Sequence, residues 1–305
     1  MKKETSDSTY HTSVLLHESI NGLNIQPDGG YVDVTFGGGG HSKEILKALG
    51  KNGKLIAFDQ DEDAQRNAIE DERFTLVQAN FREMKRFLRL HEVVEVDGIL
   101  ADLGVSSWQF DTAERGFSFR YEGPLDMRMN IYAEKSAKDV LNEYSAEQLQ
   151  KMFSEYGEVR NAKTLANAIV EGRGTKFFES IADLKSVLER CKMGEEHKYY
   201  AQVFQAIRIA VNDELGALKD FLQQCSEVLK PGGRLVVITF HSLEDRLVKN
   251  YMKHGTFDDE PVKDFFGNYE RKFKVITKKP VEAASEEQKE NSRSRSAKLR
   301  IAEKL

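Results

Sequence analysis

The chain has 305 residues, 40% hydrophobic and 31% charged, with a net charge of −5 at pH 7. That composition suits a soluble globular protein of about two domains, or one with a large insertion. No run approaches the roughly twenty apolar residues of a membrane span, and the polar start Met1 to Asp7 has no apolar signal core; the average field of a negative protein does not hold a polyanion, so any basic surface must be local. The only cysteines, Cys191 and Cys225, are far apart without ligand-like spacing and read as reduced thiols. A cytoplasmic enzyme is expected.

Ser13 to Gly22 has apolar residues at helical spacing and a closing glycine, which predicts a helix laid against a sheet. His11 and His17 beside it read as packing or surface histidines. Tyr31 to Phe36 reads as a buried strand, Gly37-Gly38-Gly39-Gly40-His41 as a turn, and Ser42 to Leu49 as a helix. Strand, glycine turn and helix present a ligand site at the carboxyl end of the first strand of an open α/β sheet. A second strand, Gly53 to Phe58, ends in Asp59. An acid there, about twenty residues past the glycines, can take the two ribose hydroxyls of an adenosine cofactor.

The glycine spacing separates two cofactor classes. A nicotinamide site wants G-x-G-x-x-G facing a pyrophosphate. Here the glycines form one block, His41 stands where a third spaced glycine would be wanted, and Asp33 sits just before the turn. Carboxylates there repel a pyrophosphate and suit the cationic methionine end of S-adenosylmethionine. A plain flexible glycine loop is the alternative, and Asp59 tips the balance towards a cofactor.

Asp61 to Ile69 predicts a helix, Phe74 to Gln78 a third strand, and Met84 to Leu90 a short amphipathic helix. Phe81, at the third strand's end, can flank an adenine or serve as ordinary core. Val96 to Asp102 is the fourth strand. The ends of strands one and four flank the switch point of a doubly wound sheet. Asp102 is therefore placed to act on a substrate rather than only to cap a turn, and Gly104 to Ser107 would wall the pocket.

From about Phe110 to about Ala201 the pattern is helical: Ser136 to Asn142, Ala146 to Glu155, Ala162 to Glu171 and Ile181 to Cys191. Ser145 and Gln148 have capping-box spacing. Arg160, Lys163, Arg173 and Lys176 give this stretch local positive charge, a solvated face by default and an RNA contact as the minority reading. Long helices follow from Gln202 to Leu229. Then come a turn at 230–233, a β-branched strand at Arg234 to Phe240, and a helix opened by His241-Ser242-Leu243-Glu244. His241 points towards the crevice. Phe273 to Lys279 and Lys298 to Lys304 complete seven strands, with a polar, mobile stretch at Ser285 to Ser292 between them. Arg271, Lys272, Lys274, Lys278, Lys279, Arg293, Arg295, Lys298 and Arg300 gather positive charge that can contact phosphates.

Three strings, T-F-G-G-G-G-H-S (35–42), A-D-L-G-V-S-S (101–107) and E-R-G-F-S-F (114–119), closely resemble the bacterial small-subunit ribosomal RNA methyltransferase H family. P-L-D-M-R-M (124–129), F-Q-A-I-R-I-A-V-N (204–212), P-G-G-R-L (231–235), F-H-S-L-E-D-R (240–246) and S-R-S-A-K-L-R-I-A-E (294–303) extend the resemblance from His11 to Glu303. Trp108 departs from it, where relatives often carry proline. The resemblance implies a class I S-adenosylmethionine-dependent methyltransferase, with a Rossmann-like seven-stranded sheet at 1–109 and 202–305. An inserted small helical domain at 110–201 would face the substrate. It also implies methyl transfer to the exocyclic N4 of a cytidine in the decoding region of 16S ribosomal RNA. Carried over by position, cofactor contacts fall on Gly39, Gly40, His41, Asp59, Phe81, Asp102 and Gln109.

The chemistry needs in-line geometry and a partner for an amino proton, because the N4 lone pair is delocalised into the ring. Asp102 is the first candidate for that partner, with Ser106, Ser107 and His241 behind it, and methyl transfer needs no metal. Two other classes are weighed. One is a small-molecule methyltransferase, disfavoured by the insertion and the basic C-terminus. The other is a non-catalytic RNA-binding assembly factor. The expected partner is the small ribosomal subunit, with no membrane; the oligomeric state stays open, a homodimer being one option.

Overall fold

The computed structural model describes residues 13–261, 265–267 and 269–305. His11 lies outside the described residues. The chain divides into two compact units, one of residues 1–104 and 218–305, the other of 105–217.

The first unit is built on one seven-stranded sheet in the order β3-β2-β1-β4-β5-β7-β6. Its strands are β1 (Gly30–Asp33), β2 (Lys54–Asp59), β3 (Phe74–Gln78), β4 (Val96–Asp102), β5 (Leu229–Thr239), β6 (Phe273–Val275) and β7 (Lys298–Lys304). Strands β3, β2, β1, β4 and β5 run parallel, and β7 lies antiparallel between β5 and β6. The seven-stranded Rossmann-like sheet expected from the sequence is present. Helices α1 (Leu16–Leu23), α2 (Gly40–Ala48), α3 (Met84–Leu90), α11 (Ser242–His254) and α12 (Ser285–Glu290) belong to this unit.

The parallel strands are almost continuously apolar because both faces of the sheet are covered. Successive side chains alternate between two cores. Tyr31, Leu55, Leu100, Val236 and Ile238 pack with Leu15, Leu23, Ile45 and Leu46 from around α1 and α2. Val32, Ile56, Ile99, Leu235 and Val237 pack with Met84, Leu88, Phe221, Leu222, Val248 and Tyr251 on the other side. Both layers hold the carboxyl ends of β1 and β4 side by side, at the point where the strand order reverses.

Several local expectations change. The stretch expected as a second helix at 61–69 is a 3-10 helix, Glu62–Asn67, capped by Asp61, whose side chain accepts from Asp63 N. The turn expected at 230–233 is a bulge inside β5: Val96 pairs with Leu229 and Gly98 with Arg234. Lys230 Nζ reaches back to Asp97 Oδ2 at 2.8 Å. The strand expected over 273–279 stops at Val275. Ser285 to Ser292, expected to be mobile, contains α12, and Glu287 Oε1 accepts from Leu15 N at 2.9 Å.

The second unit is helical: α4 (Ser107–Asp111), α5 (Ala137–Glu143), α6 (Ala146–Gly157), α7 (Ala162–Thr175), α8 (Ile181–Cys191) and α9 (Glu196–Asn212). Helix α10 (Glu214–Val228) runs across the boundary between the units. The capping box expected at Ser145 and Gln148 is present, and Ser136/Asp139 and Ser180/Asp183 repeat it. The unit is wider than the 110–201 expected. Helix α9 buries Tyr199, Tyr200, Val203, Phe204 and Ile207 in the same core as Leu149, Phe153, Leu165 and Leu184.

Three strings of the family resemblance meet inside this unit. Arg115 Nη2 donates to the carbonyl oxygens of Arg128 and Met129, at 2.9 and 3.2 Å. Asn212 accepts from Met129 N and donates to Met127 O, both at 2.7 Å. Met127 is buried with φ 59°, a conformation a methionine rarely adopts, so these bonds hold it there. These residues build the unit.

The basic residues divide. Arg173 Nη1 donates to Leu141 O and Tyr144 O, and Lys176 pairs with Asp183 at 2.6 Å, so both bind the second unit together. Arg160 and Lys163 are exposed. Of the C-terminal group, Arg300 is a correction: it is 7% exposed and its Nε and Nη2 donate to Asp245 at 2.6 and 2.9 Å, tying β7 to α11. Arg295, Lys278 and Lys279 are exposed. Asp245→Ala should therefore cost about 3–5 kcal/mol, because Arg300 would stay buried without its counter-charge. Arg295→Ala should change stability by no more than about 0.5 kcal/mol. Urea midpoints check this, and equal midpoints for the two variants would remove Arg300 from the fold.

Candidate active site

The glycine turn is fixed by the end of β2. Asp59 Oδ2 accepts from Gly37 N at 2.8 Å, and its Oδ1 accepts from Asp61 N at 2.9 Å. Asn67 Nδ2 donates to Gly37 O at 3.0 Å. Positive φ falls on Gly37 (51°) and Gly39 (75°), while Gly40 opens α2. Gly39 has no room for a side chain, since a Cβ would lie 2.9 Å from the Phe36 ring. Gly40 is closed by packing: a Cβ there would meet Ser13 Oγ at 2.0 Å. Burial pushes the Asp59 carboxyl up to about 6, against the two backbone bonds that favour its ionised form.

Beside this turn, acids gather at the carboxyl ends of β1 and β4 and at the start of α11. Asp33 is 1% exposed, accepts from Ser42 Oγ at 2.7 Å and from Thr35 N at 3.1 Å. Thr35 Oγ1 accepts from Asp102 N at 2.6 Å, which links the two strand ends. Asp102 Oδ2 lies 3.9 Å from His41 Nδ1, and His41 Nε2 lies 3.2 Å from Val14 O. Asp102 Oδ1 is buried and, among the described residues, has no hydrogen-bond partner. Glu244 is 2% exposed and accepts from Phe240 N at 2.9 Å. His241 caps α11: its Nδ1 accepts from Glu244 N at 3.4 Å, which places the ring proton on Nε2, 3.2 Å from Glu244 Oε1.

The electrostatics follow from burial. Asp33 is pushed up by burial, with His41 and its hydrogen bonds opposing. Asp102 is pushed well above the usual carboxylate range, first by burial and then by the charges of Asp33 and Glu244. Burial lowers His41 despite Asp33, so the imidazole is neutral at pH 7. Among the described residues no lysine or arginine pairs with Asp33 or Asp102. The arrangement can therefore hold a proton on a carboxyl, or a cationic ligand beside it.

Each residue predicted from sequence now has a place. Gly39, Gly40, His41, Asp59 and Asp102 all stand at this end of the sheet in the first unit. Phe81 is half-buried after β3, its ring 5.4 Å from Phe221 in a T-shaped contact. His241 stands beside Glu244. Ser106, Ser107 and Gln109 belong to the second unit. Ser106 Oγ accepts from Gln109 N and Gln109 Oε1 accepts from Ser106 N, so these two side chains cap α4. Glu244 and Thr35 were not among the predicted residues. An acid three residues after the helix-opening His241 is a capping pattern that marks Glu244. Nothing marked Thr35.

The family model described as the MraW methylase family matches residues 8–305. The chain is 56% identical over 302 residues to the "Ribosomal RNA small subunit methyltransferase H" of Flavobacterium johnsoniae, covering 99% of this chain and 100% of that one. It is 54% identical over 305 residues to the protein of the same name from Bacteroides fragilis strain YCH46, covering 100% of both. A solved structure described as an rRNA methylase from Streptococcus thermophilus is 13% identical, with a TM-score of 0.41, covering 95% of each chain.

The turn's geometry separates its glycines. Gly39→Ala should cost about 1–3 kcal/mol, from left-handed backbone and the Phe36 contact. At Gly38 a Cβ meets nothing within 4 Å and φ is not positive, so Gly38→Ala should be nearly neutral. Thermal unfolding of both variants tests this; equal midpoints would show that the turn does not constrain Phe36.

Proposed function

The chain belongs to the MraW methylase family, and from that premise we propose that it transfers a methyl group from S-adenosylmethionine to the exocyclic N4 of a cytidine in small-subunit ribosomal RNA. The observation that carries this reading is the pairing of Asp59 on the glycine turn with two acids that have no cationic side-chain partner among the described residues, the buried Asp33 and the half-buried Asp102, at the neighbouring strand ends. End-to-end identity to relatives named for small-subunit ribosomal RNA supports the substrate class.

S-adenosylmethionine supplies an electrophilic methyl on a sulfonium centre. Asp59 suits the ribose: each of its oxygens, already accepting one backbone N–H, keeps a further lone pair for a hydroxyl. The glycines at 37–40 let backbone, rather than side chain, line the ligand. Asp33 and Asp102 give the cationic end a field of the right sign. Phe81 offers a half-buried ring that can flank the adenine.

Asp102 has the second part. Its Oδ1 is buried and, among the described residues, has no hydrogen-bond partner, so it is available to a ligand. An ionised Asp102 can accept an N4 hydrogen, raise the density on nitrogen, and take the proton once the new N–C bond has formed. The neighbouring Asp33 and Glu244 raise its affinity for that proton. Ser106, Ser107, His241 and Gln109 remain proposed contributors to substrate or cofactor contact. Of these, Ser106 and Gln109 are also occupied in capping α4.

The direct experiment is transfer of labelled methyl to small subunits lacking the modification, followed by nucleoside analysis. Label in N4-methylcytidine is expected; label in no nucleoside, or in another one, would refute the reading. Two further outcomes follow. Asp102→Ala should lower kcat by roughly 100-fold or more while S-adenosylmethionine still binds. The Asp59 pKa is raised to about 6, so its carboxyl is protonated below that pH and accepts from two hydroxyls only above it. Affinity for S-adenosylmethionine should therefore rise by about tenfold between pH 5 and pH 7. Asp33 and Asp102, also raised, shift it in the same direction. Calorimetry that found affinity falling with pH over this range would contradict the assignment.

A further inference from the structure

The second unit contains a recess of about 280 Å³ lined by Phe119, Arg120, Lys185, Glu196, His197 and Tyr200. Phe119 lies four residues after Arg115, in the same segment. Its ring is half-buried and meets three side chains from one face of α9: His197 at 5.7 Å, Tyr200 at 5.7 Å and Phe204 at 5.5 Å. Tyr200 and Phe204 are buried and hold Phe119 from behind, while His197 is exposed on the first turn of α9. The rings are thus fixed by packing and open on one side. Arg120 stands at the rim, exposed, and among the described residues no carboxylate pairs with its guanidinium. Lys185 Nζ lies 3.3 Å from Glu122 Oε1, a solvent-facing pair.

We propose that this recess takes one unstacked nucleotide of the RNA substrate, its base against Phe119 and His197 and its phosphate on Arg120. The proposal rests on the reading that the chain methylates RNA. Aromatic faces accept any base, because every base has a π-face, and a guanidinium pairs with phosphate in a bidentate fork. A recess of this kind grips without reading sequence. Its nucleotide is therefore held whatever its base. The recess would add affinity for the RNA strand and take no part in the chemistry.

The test uses the full-length protein and small subunits lacking the modification. Arg120→Ala and His197→Ala remove exposed groups, and Phe119→Leu keeps apolar bulk while deleting the ring. Each should raise KM for the subunit about fivefold or more and leave kcat at saturating subunit unchanged. Arg120→Ala should also reduce the slope of log(1/KM) against log salt by about one unit. S-adenosylmethionine affinity, measured by calorimetry, should match wild type in all three. Wild-type KM and salt slope in Arg120→Ala and His197→Ala would overturn the recess while the methyltransferase reading stood. A lowered kcat with unmoved KM would also overturn it, assigning these side chains to the fold. A wild-type chain that transferred no methyl to the subunit would instead sink the functional reading, and the recess with it.

Discussion

The constraint on which the candidate site depends is a cluster of buried and half-buried acids without a lysine or arginine partner among the described residues. Asp33, Asp102 and Glu244 lie near one another at the carboxyl ends of β1 and β4 and the start of α11, and the imidazole among them, His41, is neutral. Burying an ionised carboxylate is expensive unless it is paired or strongly hydrogen-bonded. Asp33 is hydrogen-bonded twice. Asp102 is not: among the described residues one of its oxygens has no partner, and the other is 3.9 Å from a ring nitrogen. A fold that keeps such a group has a use for it that stability alone does not supply. Without ligand the cluster lowers its cost by holding protons, and a sulfonium cation would remove the need for them.

The sheet makes this arrangement possible. Its two cores come from alternate residues of the same strands, so the strand ends carry the polar groups. The carboxyl terminus of β1 supplies Asp33, that of β2 Asp59 and that of β4 Asp102. Three acids therefore share one edge of the sheet because three parallel strands end there, with the glycine turn between them.

Much of this was legible in the sequence. The runs Leu55 to Phe58 and Ile99 to Ala101 have the apolar continuity of strands buried on both faces, and the acids that end them stand out for that reason. Asp59, Asp102 and the glycine turn followed. The 3-10 geometry after β2 did not, since residues 61–69 read as a helix and their pattern does not separate a 3-10 from an α-helical turn. The bulge at 230–233 was hidden because Pro-Gly-Gly reads as a turn, whether it ends a strand or loops out of one. Arg300 was read as phosphate-binding because charge is visible in sequence and pairing is not. Its partner Asp245 is 55 positions away. The extent of the second unit was missed for a similar reason: α9 has helical periodicity wherever it packs, and it is the burial of Tyr199, Tyr200, Val203, Phe204 and Ile207 that places it in one core with α6 and α8.

The central claim is that the clustered acids are a counter-charge for the methyl donor. Calorimetry of S-adenosylmethionine and of its neutral demethylated product, S-adenosylhomocysteine, at pH 7 in two buffers of different ionisation enthalpy counts the protons exchanged on binding. The two ligands share ribose, adenine and amino acid, and differ in the charge on sulfur. S-adenosylmethionine is predicted to release more protons than S-adenosylhomocysteine, because only the sulfonium drives Asp102 and Asp33 to ionise. In Asp102→Asn that difference should shrink. Equal proton release by the two ligands in the wild-type protein would contradict the account.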